Sequence, residues 1–192
     1  MTAGEADVER LNVQYPGGIS ARYRWTGSGG GPALFAISEA TGDLTDHGPL
    51  AGSDPNRLCR LELRAESPSG TWTARFASPI YDEPHGAFWD TPGLLLIKYG
   101  FVLYAIEPRG GGLAWTHLSG TPVLTVLSST RLDHVLLQSE IETIALRADG
   151  SVAWRAAHDD VIVGAALIAG RLDLTTYAGA HVYLDAATGA AA

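Results

Sequence analysis

The sequence predicts an all-β protein, built as an array of antiparallel sheets with about four repeats and a divergent first third. Three observations carry this reading. The segment Leu94–Trp115, LLLIKYGFVLYAIEPRGGGLAW, recurs in altered form at Val135–Trp154 and again at Leu172–Gly189. The 23 glycines and 10 prolines are spread through all 192 residues, as suits many short strands joined by turns. No window keeps a three-four apolar spacing for three turns, so long helices are not expected.

Taken in order, residues 1–20 hold few periodic apolar positions and contain the turn signal Tyr15-Pro16-Gly17-Gly18. Ile19–Thr26 alternates as a strand, Gly27–Pro32 reads as a flexible loop, and Ala33–Ile37 as a short apolar strand. A turn at Ser38–Asp43 and a loop over residues 45–56 follow. Arg57–Ala65 has period two, with Cys59, Leu61, Leu63 and Ala65 on one apolar face. The turn Pro68-Ser69-Gly70 leads to a second alternating run, Thr71–Phe76. Ser78–Pro92 is the longest irregular stretch, with three prolines. The chain is expected to be one domain, with residues 1–78 divergent and residues 93–189 the regular repeats.

Aligning Gly100 with Glu140 and Gly179 gives a period of about 40, within the range of propeller repeats. Ala105 then matches Ala145, and Trp115 matches Trp154 within one residue; residues 60–76 read as a weaker copy. A lone antiparallel sheet cannot bury both of its faces, and stacking it on the next sheet covers them. Gly in each turn allows a positive φ, and Trp lies across the seam between neighbouring sheets.

Tyr104-Ala105-Ile106-Glu107 with Gly111 and Trp115, Ile144-Ala145-Leu146 with Gly150 and Trp154, and Tyr183-Leu184-Asp185-Ala186-Ala187-Thr188-Gly189 carry a resemblance. They resemble the repeat of the pyrroloquinoline-quinone-type β-propellers over residues 90–189, and more weakly over 60–76. The resemblance implies a small or partial propeller-like array, or a curved stack of sheets closed by a dimer partner. Members of that family include quinone dehydrogenases with about eight blades. Those enzymes bind quinone and calcium between blades. Here about four repeats and a single cysteine, Cys59, provide neither the blades nor a vicinal pair to cap a quinone. No cofactor is expected.

The formal net charge is −8, which repels a phosphate backbone and argues against nucleic-acid binding. The same balance favours a basic protein partner. Neither a signal-length apolar run near the N-terminus nor a stretch of membrane-helix length is present, so the chain reads as soluble and cytoplasmic. An exposed terminal edge strand is expected to pair with something, a second copy included.

The histidines at Asp46-His47, Asp133-His134 and His158-Asp159-Asp160 each neighbour a carboxylate. None has a spacing that puts two metal ligands on one face of an element, and all fall in turns, so no metal is expected. No Gly-x-Ser-x-Gly elbow or Walker pattern exists, and Arg109-Gly110-Gly111-Gly112 precedes a strand instead of the helix that a phosphate cradle needs.

The best candidate site is residues 80–90, where Tyr81, Asp82, Glu83, His85 and Trp89 would line a pocket at the end of the sheets. Two readings follow. The preferred one is a non-enzymatic, propeller-like interaction or scaffold module that uses the rim carrying the loop 78–92. The alternative is a protein that binds, or hydrolyses, a carbohydrate or small molecule through those five residues. Against a pocket, the loop reads more readily as a linker with Phe88 and Trp89 plugging the core, since most aromatic side chains are structural.

Overall fold

In the computed structural model, which describes residues 7–36, 43–47 and 54–192, sixteen strands form four sheets. Sheet I holds β1 (Glu9–Tyr15), β2 (Ile19–Thr26), β3 (Asp43–Asp46), β4 (Cys59–Ser67) and β5 (Gly70–Ser78), in the order β1-β2-β4-β5-β3. Sheet II runs β6 (His85–Trp89), β7 (Leu94–Tyr99), β8 (Val102–Ile106) and β9 (Leu113–Leu118). Sheet III repeats that meander with β10 (Val123–Leu127), β11 (His134–Ser139), β12 (Glu142–Arg147) and β13 (Val152–Ala157). Sheet IV has β14 (Ile162–Ile168), β15 (Arg171–Thr176) and β16 (His181–Asp185), and Ala191 then bridges Leu184. The architecture is the β-propeller-like array that the repeats predict. Among the described residues, no helix is long and apolar enough to cross a membrane.

Where the fold departs from the sequence reading, the cause is local. Ala33–Ile37 is not a strand, because Gly31–Ala36 forms a short helix, α1. A run of five apolar residues has no period of its own. Pro32 is tolerated in a first helical turn, and Leu34 is buried under the helix. The loop expected over 45–56 contains the end of β3, which pairs in parallel with β5 and continues as His47 N donates to Arg75 O at 2.9 Å. The irregular stretch 78–92 contains β6, and β1 emerges from residues 1–20 as an edge strand with one paired side. The turn at Ser38–Gly42 and the loop residues 48–53 lie outside the described residues.

Three apolar clusters fill the three seams. The first packs Tyr23, Leu61, Leu63, Trp72 and Phe76 of sheet I against Leu95, Ile97 and Tyr104 of sheet II. The second joins Leu96, Leu103 and Ala105 to Val135, Leu137 and Ile144. The third joins Leu136 and Ala145 to Leu172, Leu174 and Leu184. Successive residues of a strand face opposite sides, so each sheet serves two seams with its two alternating sets.

A tryptophan latches each seam. Trp72 of β5, Trp115 of β9 and Trp154 of β13 lie against Gly111, Gly150 and Gly189 in the turn of the following sheet. A Cβ on these glycines would stand 2.7 Å, 2.8 Å and 2.4 Å from the respective ring, well inside contact distance. All three glycines also have positive φ, between 72° and 83°. Trp72 Nε1 donates to Pro108 O and Trp115 Nε1 to Ala148 O, both at 2.8 Å. In the last seam the matching carbonyl, Ala186 O, is bonded by His134 Nε2 at 2.8 Å, and His134 sits edge-on to Trp154. Trp72 is fully buried, whereas Trp115 and Trp154 are half-buried on the outer strands.

The outward face of sheet IV breaks the apolar series. The paired positions Leu96/Ala105 and Leu136/Ala145 correspond in sheet IV to Asp173/Tyr183. There Asp173 binds His181 at 2.8 Å, and Arg171 lies 4.5 Å over the Tyr183 ring. These polar groups satisfy one another, as on a solvated face and unlike a seam.

Gly150 and Gly170 share a φ of 83°, but a Cβ on Gly170 meets nothing within 4 Å. Gly170→Ala is therefore expected to cost only backbone strain, about 1–2 kcal/mol. Gly150→Ala adds overpacking against Trp115, for about 2–4 kcal/mol in total. Urea unfolding of the two variants measures the difference, and equal losses would show that the latch contributes nothing.

Candidate functional site

Two sets of loops meet at one rim of the array. One set is the β7–β8, β11–β12 and β15–β16 hairpins, and the other is the connections that lead from one sheet into the next. Backbone bonds stitch them together: Val123 N to Gly100 O at 2.9 Å, Ile162 N to Glu140 O at 2.6 Å, and Tyr177 N to Val161 O at 2.7 Å. Ser119 N and His158 N donate to Phe101 O and Ile141 O, each at 2.8 Å. The rim is thus held by main-chain bonds at every crossing, which fixes the side chains at the hairpin tips.

Asp82 belongs to this stitching. Its Oδ1 accepts from Lys98 Nζ at 2.7 Å and its Oδ2 from Gly100 N at 2.6 Å. Lys98 is buried and also donates to Glu83 O at 3.3 Å. Eighteen residues separate Asp82 from Gly100, and the same separation recurs between Asp160 and Ala178, whose amide donates to Asp160 Oδ2 at 3.2 Å. In both places a carboxylate on the incoming connection caps the hairpin of the sheet that it enters. Backbone amides on Asp160 hold its carboxyl below the usual carboxylate range.

The other members of the 80–90 set are spread along the sheet. Tyr81 is exposed and its hydroxyl donates to Glu9, while Glu83 and His85 are also exposed on the rim. Trp89 lies four residues beyond His85 along β6, roughly 13 Å away at about 3.3 Å per residue. It is buried in the second cluster and borders a cleft of about 330 Å³ with Asp90, Thr91, Ser128, Ser129 and Thr130 at the opposite rim. Tyr81, Asp82, Glu83 and His85 therefore share one rim, and Trp89 belongs to the other. Among the described residues, no group of three or more His, Cys, Asp or Glu is placed to hold a metal ion.

The rim also presents apolar side chains that sequence reasoning passed over. Ile141, Val161, Val163 and Tyr177 are all exposed, Tyr177 to 81%. A signal for two of them was present. Ile141 and Tyr177 occupy hairpin-turn positions, where Gly, Asn and Asp are the usual residues. The equivalent Phe101 instead packs onto the first cluster. Among the described residues, the carboxylates of Glu140, Glu142, Asp159 and Asp160 neighbour them in sequence and those of Asp82 and Glu83 lie along the same rim, together with the cations Lys98 and Arg155. Both cations are engaged, Lys98 with Asp82 and Arg155 with Glu142 at 3.4 Å.

Beneath the rim, Thr143 Oγ1 donates to Gln138 Oε1 at 2.5 Å and so receives the proton of His158 Nε2 at 2.8 Å. Burial lowers the pKa of His158, and likewise those of His47 and His117.

The sequence matches no family profile and no curated protein. Solved structures share the fold. BamB from Moraxella catarrhalis, a β-propeller protein, superposes with a TM-score of 0.54 at 13% identity, over 97% of this chain and 65% of its own. The computationally designed Ika8 protein gives 0.53 at 10% identity, over 94% of this chain and 59% of its own. HIRA(644–1017) gives 0.49 at 11% identity, over 97% and 53%. The chain spans less than two-thirds of the length of each. At these identities the likeness to BamB and Ika8 establishes the fold alone.

Two outcomes are expected here. Asp82→Ala leaves Lys98 buried without its counter-charge and frees the Gly100 amide. A loss of about 3–5 kcal/mol is expected in urea unfolding, and a silent variant would return Asp82 to the list of free functional carboxylates. For His47, His117 and His158, folded pKa values lie below the ordinary value near 6.5, so the unfolded chain binds more protons at acid pH. Stability is present above about pH 6.5 and declines as the pH falls through the lowered values. The urea midpoint should be lower at about pH 5.5 than at about pH 7.5, and His158→Gln should remove part of that difference.

Proposed function

We propose that the chain is a non-enzymatic, propeller-like protein-interaction module whose hairpin rim receives a basic segment with an apolar anchor. One observation carries the reading: exposed Ile141, Val161, Val163 and Tyr177 stand inside a border of carboxylates on a backbone-stitched rim. Protein interfaces have this anatomy, an apolar centre with a polar margin, and tyrosine is among the residues that dominate binding energy. Few loop side chains need ordering on binding, which limits the entropic loss. Tyr81, Glu83 and His85 extend the same surface towards sheet I and would contact the flank of the partner segment. The carboxylate border selects basic sequences and speeds encounter with them.

A peptide-display selection on the immobilised protein tests this. Basic sequences containing an aromatic or branched apolar residue should be enriched. Tyr177→Ala and Ile141→Asp should each weaken their binding about tenfold or more without lowering the unfolding temperature. Enrichment of acidic or neutral sequences, or indifference to both substitutions, would refute the proposal.

A further inference from the structure

Sheet I turns one face into the first seam and the other outward, and the outward face collects arginine. Arg10, Arg22, Arg24, Arg60, Arg64 and Arg75 all stand on it by strand alternation, six of the chain's 13 basic residues, in a protein of net charge −8. Two neighbouring cross-strand rows differ in how this charge is balanced. In the row Arg10–Arg24–Glu62–Arg75, the buried Glu62 lies between two arginines and binds both, Arg75 at 3.0 Å. In the row Asn12–Arg22–Arg64–Thr73, two arginines are directly opposite each other with no carboxylate in the row.

Like charges directly opposite on adjacent strands destabilise a sheet. Arg22 is exposed, and no carboxylate among the described residues pairs with it. Arg64 is held at 3.1 Å by Glu66, two positions along its own strand, and Glu66 itself is more than half exposed. These residues, with Asn12, Gln14 and Ser20, line a cleft of about 210 Å³. Its walls supply guanidinium and amide donors and a single carboxylate.

We propose that the Arg22–Arg64 row is a docking site for carboxylates of an acidic peptide segment. Two guanidinium groups side by side can each take a carboxylate through paired N–H donors, and Asn12 and Gln14 line the same cleft, Gln14 Nε2 donating to Ser20 Oγ at 3.0 Å. Glu66 marks the geometry, since it already presents a carboxylate to Arg64 from the edge of the cleft. An incoming carboxylate displaces it into solvent, which a half-exposed side chain permits at little loss. A phosphate backbone fits less well, because it is attracted by a broad positive field that a chain of net −8 does not generate. The site is separate from the hairpin rim and of opposite sign.

Fluorescence anisotropy with a labelled six-residue Asp/Glu-Gly peptide tests the site at about 0.02 M and about 0.15 M salt. Binding is expected at the lower salt, weakened at the higher. Arg22→Gln and Arg64→Gln should each weaken it about tenfold, Arg22→Lys should weaken it less, and Glu66→Gln should tighten it by removing the competitor. Arg22→Gln should also keep or raise the unfolding temperature, because an opposed like charge is removed. Tyr177→Ala on the rim should change none of this. Absence of peptide binding at low salt, or indifference to Arg22→Gln, would overturn the proposal. So would tighter binding of a single-stranded oligonucleotide, or unfolding of Arg22→Gln at a lower temperature.

Discussion

The array depends on a flat indole ring lying directly on backbone. Sheets of three to five strands can be stacked only if consecutive sheets keep the same offset at each seam. A side chain on the receiving turn would hold them apart. With Trp72, Trp115 and Trp154 against Gly111, Gly150 and Gly189, ring meets main chain, and there is no room for a Cβ. Two of the rings add a bond from Nε1 to a turn carbonyl, which sets position along the seam as well as distance. The apolar clusters supply most of the driving force, since burial is non-directional. The latch supplies what burial cannot, a single register for each pair of sheets.

That rigidity separates structure from recognition. Hydrogen bonds that cross between the connections and the hairpins engage the carboxylates of Asp82 and Asp160 at the base of the rim. A carboxylate that holds a buried lysine and a backbone amide is committed to the scaffold. The tips above it have no such duty. Ile141 and Tyr177 contribute little to the seams, so their exposed apolar surface has no explanation in folding. Isolated exposed apolar residues are ordinary, but four together on stitched backbone are a surface.

The repeats were legible because the latch leaves a mark in the chain. Trp and its receiving Gly recur with turns between them, and the strands alternate visibly around both. What was not legible has two causes. α1 and β3 lack a period of their own: α1 is six residues, Gly31–Ala36, after a Gly-rich loop, and β3 exists because β5 offers it an unpaired edge. In the 80–90 stretch the density of Tyr, Asp, Glu, His and Trp suggests a pocket. Strand β6 runs through it and carries Trp89 to the far end, which density in sequence cannot reveal. Asp82 carried a legible clue after all, since its separation from Gly100 is repeated by Asp160 and Ala178.

Net charge concealed as much as it showed. A total of −8 describes the far field, which governs encounter with large ions, and there the chain is acidic. Recognition at a surface is governed by charges within about 8–10 Å, the screening length at ordinary salt. On that scale this protein has two faces of opposite sign. The carboxylates gather where connections and hairpins meet, because those segments use Asp to cap turns. The arginines gather on the outward face of sheet I, beside the divergent first third. Stacking itself favours this division, since apolar seams disfavour carboxylate and guanidinium groups, which go to a rim or an end face. Sheet IV closes the other end with Asp173, His181, Arg171 and Tyr183 bound to one another, leaving its charges internally balanced. Sheet I instead sets Arg22 opposite Arg64, with no carboxylate in their cross-strand row. The end that departs most from the repeat is thus also the end whose surface chemistry is least accounted for by folding.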